Sequence, residues 1–386
     1  SYSQSPTGVS MPLARDFFEV FPQLEISRNA WVLVDAIFWF AEEKKGLSRE
    51  QFLNSKPDLE AFHSEVEDAL YEALDRGSQI DVLQYARVSN QLIFLFASVL
   101  NEIQNGPTSR AHVAVAQRIT PGDAIITFNW DTLMDRALAE VTDWRPDSGY
   151  GSQPRLVHKG TWRAPAIEPA GGPTYLKLHG STNWLTSYRM FEKGKPRLIQ
   201  TSEPSTLYTY EHTEGPYATY AGRYMEGYQP FSYGYYPPNL PDDPGRPAPN
   251  GHVYLQMRPK YPWVPEGVAP DRGLPSMPLI IPPVRQKDYG FFGELFGRLW
   301  NSAEALLERA EDIVVIGYSF PQTDHQSNST FSKALSSRTV APQVTVIDPS
   351  PQRIHAKFRD EFHIPEANIR VIAASFTEAF DLDSLL

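Results

Sequence analysis

Cysteine is absent from the 386-residue chain. That excludes disulfides, a cysteine nucleophile and thiolate zinc sites, and it fits a reducing cytoplasm, the expected location. Long apolar runs are missing too: none approaches the roughly 20 residues that span a bilayer, so no membrane association is expected. The first residues, S-Y-S-Q-S-P-T-G, lack the basic start and apolar core of a secretory signal. The nine histidines include no H-E-x-x-H or other metal-ligand spacing, so no metal is expected. Positive charge is scarce. With a formal net charge of −11 and no clustered Lys and Arg, the surface is a poor match for a polyanion, and direct nucleic-acid binding is not expected.

The composition that remains is ordinary for a soluble globular protein, 41% hydrophobic and 21% charged. The length suits two domains or one enlarged one. Residues 13–120 carry apolar side chains at helical spacing in four successive stretches and are expected to form a helical module. Ser27 and Asp58 stand where helix caps belong. After Asp123 the texture changes. The short apolar run at 124–128 reads as a strand buried on both faces by a parallel sheet, and 175–178, 278–281, 313–316, 344–347 and 369–372 are further strand candidates. Helical stretches at 290–309, 327–336, 350–360 and 376–385 separate the later ones. Strands alternating with helices imply an α/β fold with a doubly wound parallel sheet, assigned to residues 121–200 and 276–386. Residues 201–275 interrupt it with 11 of the 19 tyrosines and 14 of the 34 prolines. Proline prevents long regular elements there, and so many aromatics argue for an irregular insertion that packs on the domain or on a partner.

In an open α/β sheet, ligands bind beyond the carboxyl ends of the strands. The apolar runs end on polar or permissive residues. A-I-I-T-F stops at Asn129, Y-L-K-L at His179 and Gly180, I-V-V-I at Gly317 with Ser319 beyond, and V-T-V-I at Asp348. Each has a structural alternative. Asn129 suits a turn, Asp131 a helix N-cap, His179 a satisfied core position and Gly317 a tight bend, while Asp348 suits the start of the next helix. Jointly they suggest one ligand-competent sheet edge.

The residues also carry a resemblance. T-F-N-W-D at 127–131, K-L-H-G-S-T-N-W at 177–184, I-I-P-P at 280–283 and G-Y-S-F-P-Q-T-D at 317–324 resemble, in order, the motifs of sirtuin-like domains of bacterial anti-phage defence. Two departures accompany it. The four-cysteine zinc module of deacylating sirtuins has no counterpart, which makes protein deacylation the less expected activity. At the front, Gly8 to Pro12 resembles the segment just after a glycine-rich phosphate loop. Residues 1–12 are therefore expected to be a remnant of that loop, with Ser1 as its serine and a first strand lying upstream.

The resemblance implies a Rossmann-like NAD-binding domain that hydrolyses the bond between nicotinamide and ribose, with NAD as substrate. It implies Asn129, His179 and Asp131 as catalytic residues and Ser1, Pro12, Thr127, Gly317, Ser319, Asp324 and Asp348 as dinucleotide-binding ones. Asn129 would position ribose hydroxyls and water, and His179 would act as general base. A homo-oligomer, with a separate HerA-like ATPase or an Argonaute-type protein as partner, is the expected assembly. ADP-ribosyl transfer or deacylation in the same cleft, and a non-catalytic dinucleotide sensor, are the alternatives.

Overall fold

The computed structural model of the chain describes residues 5–24, 26–29, 34–147, 150–159, 161–166, 171–187, 190–192, 198–199, 206–211, 240–241, 252–254, 276–281, 294–321 and 324–377. The helical module is present. It comprises α1 (Phe17–Val20), α2 (Ile26–Asn29), α3 (Asp35–Lys45), α4 (Arg49–Asn54), α5 (Leu59–Asp75), α6 (Gln79–Gln104) and α7 (Arg110–Ala116). Local chemistry sets several boundaries. Asp58 caps α5 by accepting from Ala61 N at 2.8 Å. Ser48 and Gln51 form a reciprocal capping box at the start of α4. Leu59, Phe62, Val66, Leu70 and Ala73 then give α5 one buried face. The second half of α6 is buried all round, as befits the central helix of a bundle. Phe17, Phe18, Phe52 and Phe62 meet in the core, mostly edge to face.

Ser27 is not a cap. It lies inside α2, where its hydroxyl donates to the carbonyl of Leu24 at 2.7 Å. The amide at the start of that helix, Ile26 N, donates to the carboxylate of Glu102 on α6.

Beyond α7 the chain forms a mixed α/β unit. Its strands are β1 (Ala124–Thr127), β2 (Leu156–Lys159), β3 (Thr161–Arg163), β4 (Thr174–Lys177), β5 (Gly180–Ser187), β6 (Met190–Glu192), β7 (Leu198–Ile199), β8 (Tyr208–Tyr210), β9 (His252–Tyr254), β10 (Ser276–Ile280), β11 (Asp312–Ile316), β12 (Gln343–Ile347) and β13 (Ile369–Ile372). Its helices are α8 (Leu133–Val141), α9 (Glu294–Arg309), α10 (His325–Ser336) and α11 (Gln352–Ala356). Two separately bonded pieces are wholly parallel, β1 with β4 and β11–β12–β13, and β2 also pairs β8 in parallel within a larger mixed sheet.

Several expectations need correction. The run at 278–281 is a strand, but β10 runs antiparallel to β5 in a five-stranded sheet of order β10-β5-β8-β2-β3. An apolar run signals burial on both faces and carries no information about direction, so it was open to this outcome. Part of the Tyr/Pro-rich span is regular: β8 lies between β5 and β2, with all three residues buried. Most of 201–275 lies outside the described residues. The helix expected at 350–360 ends at Ala356 and passes into a π-type turn, Lys357–Glu361. Phe376 and Thr377 are not helical, and the rest of 376–385 lies outside the described residues. Among the described residues, no helix is long and apolar enough to cross a membrane.

One glycine decides how β10 meets β5. Gly180 has φ +80°, and a Cβ there would lie 2.1 Å from the carbonyl oxygen of Leu279. Only glycine accepts both the left-handed backbone and the approach. Gly180→Ala should therefore cost at least about 2 kcal/mol, combining backbone strain with a displaced strand. A urea midpoint equal to that of the native protein would contradict this.

Candidate functional site

The strand ends are fastened together by a buried polar network. Lys177, in an otherwise apolar strand, is fully buried. Its ammonium donates to Asp135 Oδ2 at 3.0 Å and to the carbonyl of Asp131. Asp135, on the first turn of α8, also accepts from Tyr150 Oη at 2.6 Å and Tyr175 Oη at 3.0 Å. Asn183 Nδ2 donates to Tyr150 Oη at 3.1 Å. Burial and the Asp135 carboxylate hold both tyrosine hydroxyls well above their usual pKa, so they act as donors. A buried charge persists only when paired and hydrogen-bonded, and here each carboxylate oxygen has a partner.

This network fixes the loop after β1. Lys177 holds it at Asp131, Gln104 at the end of α6 accepts from Thr132 N at 2.7 Å, and Thr182 N donates to Trp130 O at 2.9 Å. Asp131 Oδ1 accepts from Leu133 N at 3.0 Å, so its observed task is an Asx turn at the start of α8. Thr127 Oγ1 accepts from Asn129 N at 3.1 Å. Asn129 itself is exposed, between the two aromatic residues of the loop.

His179 lies under those aromatics. Its ring is 5.3 Å from Phe128, 5.9 Å from Trp130 and 6.3 Å from Trp300, centroid to centroid. The residue is 4% exposed. Its backbone carbonyl accepts from Ile281 N at 2.8 Å, and its Nε2 is 3.2 Å from Asp324 Oδ2. Asp324 arrives from the other parallel piece. Gly317, at the end of β11, has φ +64°, and its amide donates to Ile347 O at 3.0 Å. Tyr318 then stacks on Phe128 at 4.0 Å and donates to Asp324 Oδ2 at 2.8 Å. The contacts between β1-β4 and β11 around the site thus pass through Phe128, Tyr318, His179 and Asp324.

The remaining sequence candidates make other contacts or lie outside the described residues. Ser319 is exposed, and its carbonyl accepts from Arg353. Asp348 is half-buried at the end of β12, where Oδ1 accepts from Ser350 N at 2.8 Å. Pro12 belongs to the segment whose Val9 and Met11 pack on the helical core, the same core that Trp130 packs against. Ser1 and the prolines at 282–283 lie outside the described residues. Nearby, burial pushes the His112 imidazole below its ordinary pKa, against the opposing carboxylates of Asp131 and Asp135. Among the described residues, no group of three or more His, Asp or Glu is arranged to hold a metal ion.

Sequence reasoning passed over the aromatic walls Phe128, Trp130, Trp300 and Tyr318, and the Lys177–Asp135 pair. The second had a signal. A lysine inside an apolar strand has to find a counter-ion when both faces of the strand are covered.

No protein-family model matches the chain, and no curated protein matches it.

The buried pair yields a stability test. Lys177→Met leaves the Asp135 carboxylate without its cation and should lower unfolding free energy by about 3–5 kcal/mol. Chemical denaturation reads this directly, and a loss below about 1 kcal/mol, the scale of an exposed pair, would contradict the role assigned to Lys177.

Proposed function

We propose that the protein hydrolyses NAD⁺ to nicotinamide and ADP-ribose on a Rossmann-like scaffold of the sirtuin-like type. The observation that carries the reading is the convergence of the three motif segments, 127–131, 177–184 and 317–324, on one imidazole. Nothing in a helical or strand period requires that coincidence, and a dinucleotide cleft does.

On this reading the exposed Asn129 amide binds ribose hydroxyls and orients water, donating and accepting without adding charge. Cleavage of the N-glycosidic bond builds positive charge on the ribose. The faces of Phe128 and Trp130 favour that charge through their quadrupoles. His179 takes the proton from the attacking water or from a ribose hydroxyl. Gly317 and Ser319 let the backbone approach the dinucleotide, and Asp348 accepts from the adenosine ribose. The reading extends to a regulated effector of anti-phage defence, cytoplasmic and homo-oligomeric, released by a HerA-like ATPase or an Argonaute-type partner.

The test is nicotinamide release from NAD⁺, followed by chromatography, for the full chain with and without its genomic neighbours. His179→Ala should lower turnover about 10²–10⁴-fold, the usual contribution of a general base, with its melting curve preserved. Near-native turnover in that variant would remove His179 from the mechanism. Saturable NAD⁺ binding with no nicotinamide from the native protein would favour a sensor instead.

A further inference from the structure

Asp324 occupies the N-cap position of α10, yet its side chain makes no capping bond. An aspartate there ordinarily contributes about 1 kcal/mol by capping, so its carboxylate is committed elsewhere. The backbone around it is clamped. Asp324 N donates to Pro321 O at 3.0 Å, and Asn328 Nδ2 donates to the carbonyls of Pro321 and Asp324 at 3.1 and 2.9 Å. Phe320, four residues earlier, has φ +48°, a conformation that costs a phenylalanine roughly 1–3 kcal/mol. It persists because its buried ring packs against Phe331, Phe358 and Phe362. A strained turn, an unused cap and a side-chain clamp together deliver one carboxylate, 1% exposed, to His179 Nε2.

We propose that Asp324 is a positioning residue: it holds the His179 ring by Nε2, fixes the tautomer that keeps its proton there, and stabilises the imidazolium that forms when the other nitrogen takes up a proton. This rests on the proposed hydrolysis and reassigns Asp324 from dinucleotide contact to the support of the base. The step balances simply: a proton passes from a water or ribose hydroxyl to the ring, and the carboxylate stays ionised. The groups facing the imidazole suit this. Phe128, Trp130 and Trp300 carry no charge, and Tyr318 donates its hydroxyl hydrogen to Asp324 Oδ2. The neighbouring Lys177 is balanced by Asp135, and the Asp131 carboxylate is turned toward Leu133 N.

The experiment tracks the ring resonances of His179, identified by their loss in His179→Gln, against pH in the full chain. Asp324→Asn removes an opposite charge at contact distance and should lower the titration midpoint of His179 by about one pH unit or more. Asp324→Glu should restore most of the shift, and Tyr318→Phe, which keeps the carboxylate, should leave the midpoint near the native one. In turnover, Asp324→Asn should reduce kcat with little change in KM and move the acid limb of the profile to lower pH. An unchanged midpoint in a folded Asp324→Asn protein would overturn the proposal. If that variant does not fold, the nitrogen shifts of the native ring decide: a neutral ring protonated on Nδ1 rather than Nε2 would equally overturn it. The titration requires no turnover, so a native protein that releases no nicotinamide sinks the hydrolase reading while this pairing is judged on the resonances alone.

Discussion

A lysine ammonium cannot remain in a dry interior without a counter-charge, and that requirement organises the centre of this fold. Lys177 satisfies it with Asp135 and with a carbonyl of the loop after β1. Meeting both partners draws the first turn of α8 against β4, while Tyr150, Tyr175 and Asn183 fill the remaining hydrogen-bonding positions. His179 stands two residues along the same chain. Its distance from the loop aromatics is thus set by the geometry of an ion pair rather than by loop preference. The motif K-L-H-G-S-T-N-W is for the most part a construction device: Lys177 and Asn183 build the network, Gly180 admits β10, and His179 is the member that faces the strand ends of the other parallel piece.

The second organising feature is the meeting of two wholly parallel pieces, β1-β4 and β11-β12-β13, at side chains. Tyr318 on Phe128 and Asp324 on His179 tie β11 to β1 and β4. Side-chain contacts of this kind can be re-formed without breaking a backbone ladder. The helical module enters the same region through Gln104, which holds Thr132 N, and through Phe96, whose ring meets Trp130 edge-on at 4.9 Å. A displacement of α6 would therefore be felt at the loop carrying Asn129. That gives the module a physical connection to the site in addition to its packing role.

Much of this was legible in the amino-acid order. The helical period of 13–120, the strand runs and the cap at Asp58 arise from local rules, and they appear in the fold. Phe128, Tyr318, His179 and Asp324 meet as well, which brings parts of 127–131, 177–184 and 317–324 together across two separately bonded pieces. Strand direction was not legible. P-L-I-I looks the same whether its neighbour runs parallel or antiparallel, and β10 took the second course. Nor was partner choice: Asp324 read as one more polar group near a ligand, since nothing local reveals that its carboxylate forgoes the cap to reach a histidine 145 positions earlier in the chain. Ser27 failed as a cap because it lies inside α2, where its hydroxyl donates to the carbonyl of Leu24.

The central claim is that the exposed amide of Asn129 and the aromatic-walled imidazole of His179 flank one sugar. The most direct measurement is a crystal structure of the His179→Ala protein soaked with NAD⁺. The nicotinamide ribose should then lie beside Asn129, within reach of position 179, with the diphosphate running past Gly317. A dinucleotide bound at another surface, or a crystal that stays empty at saturating NAD⁺, would contradict it.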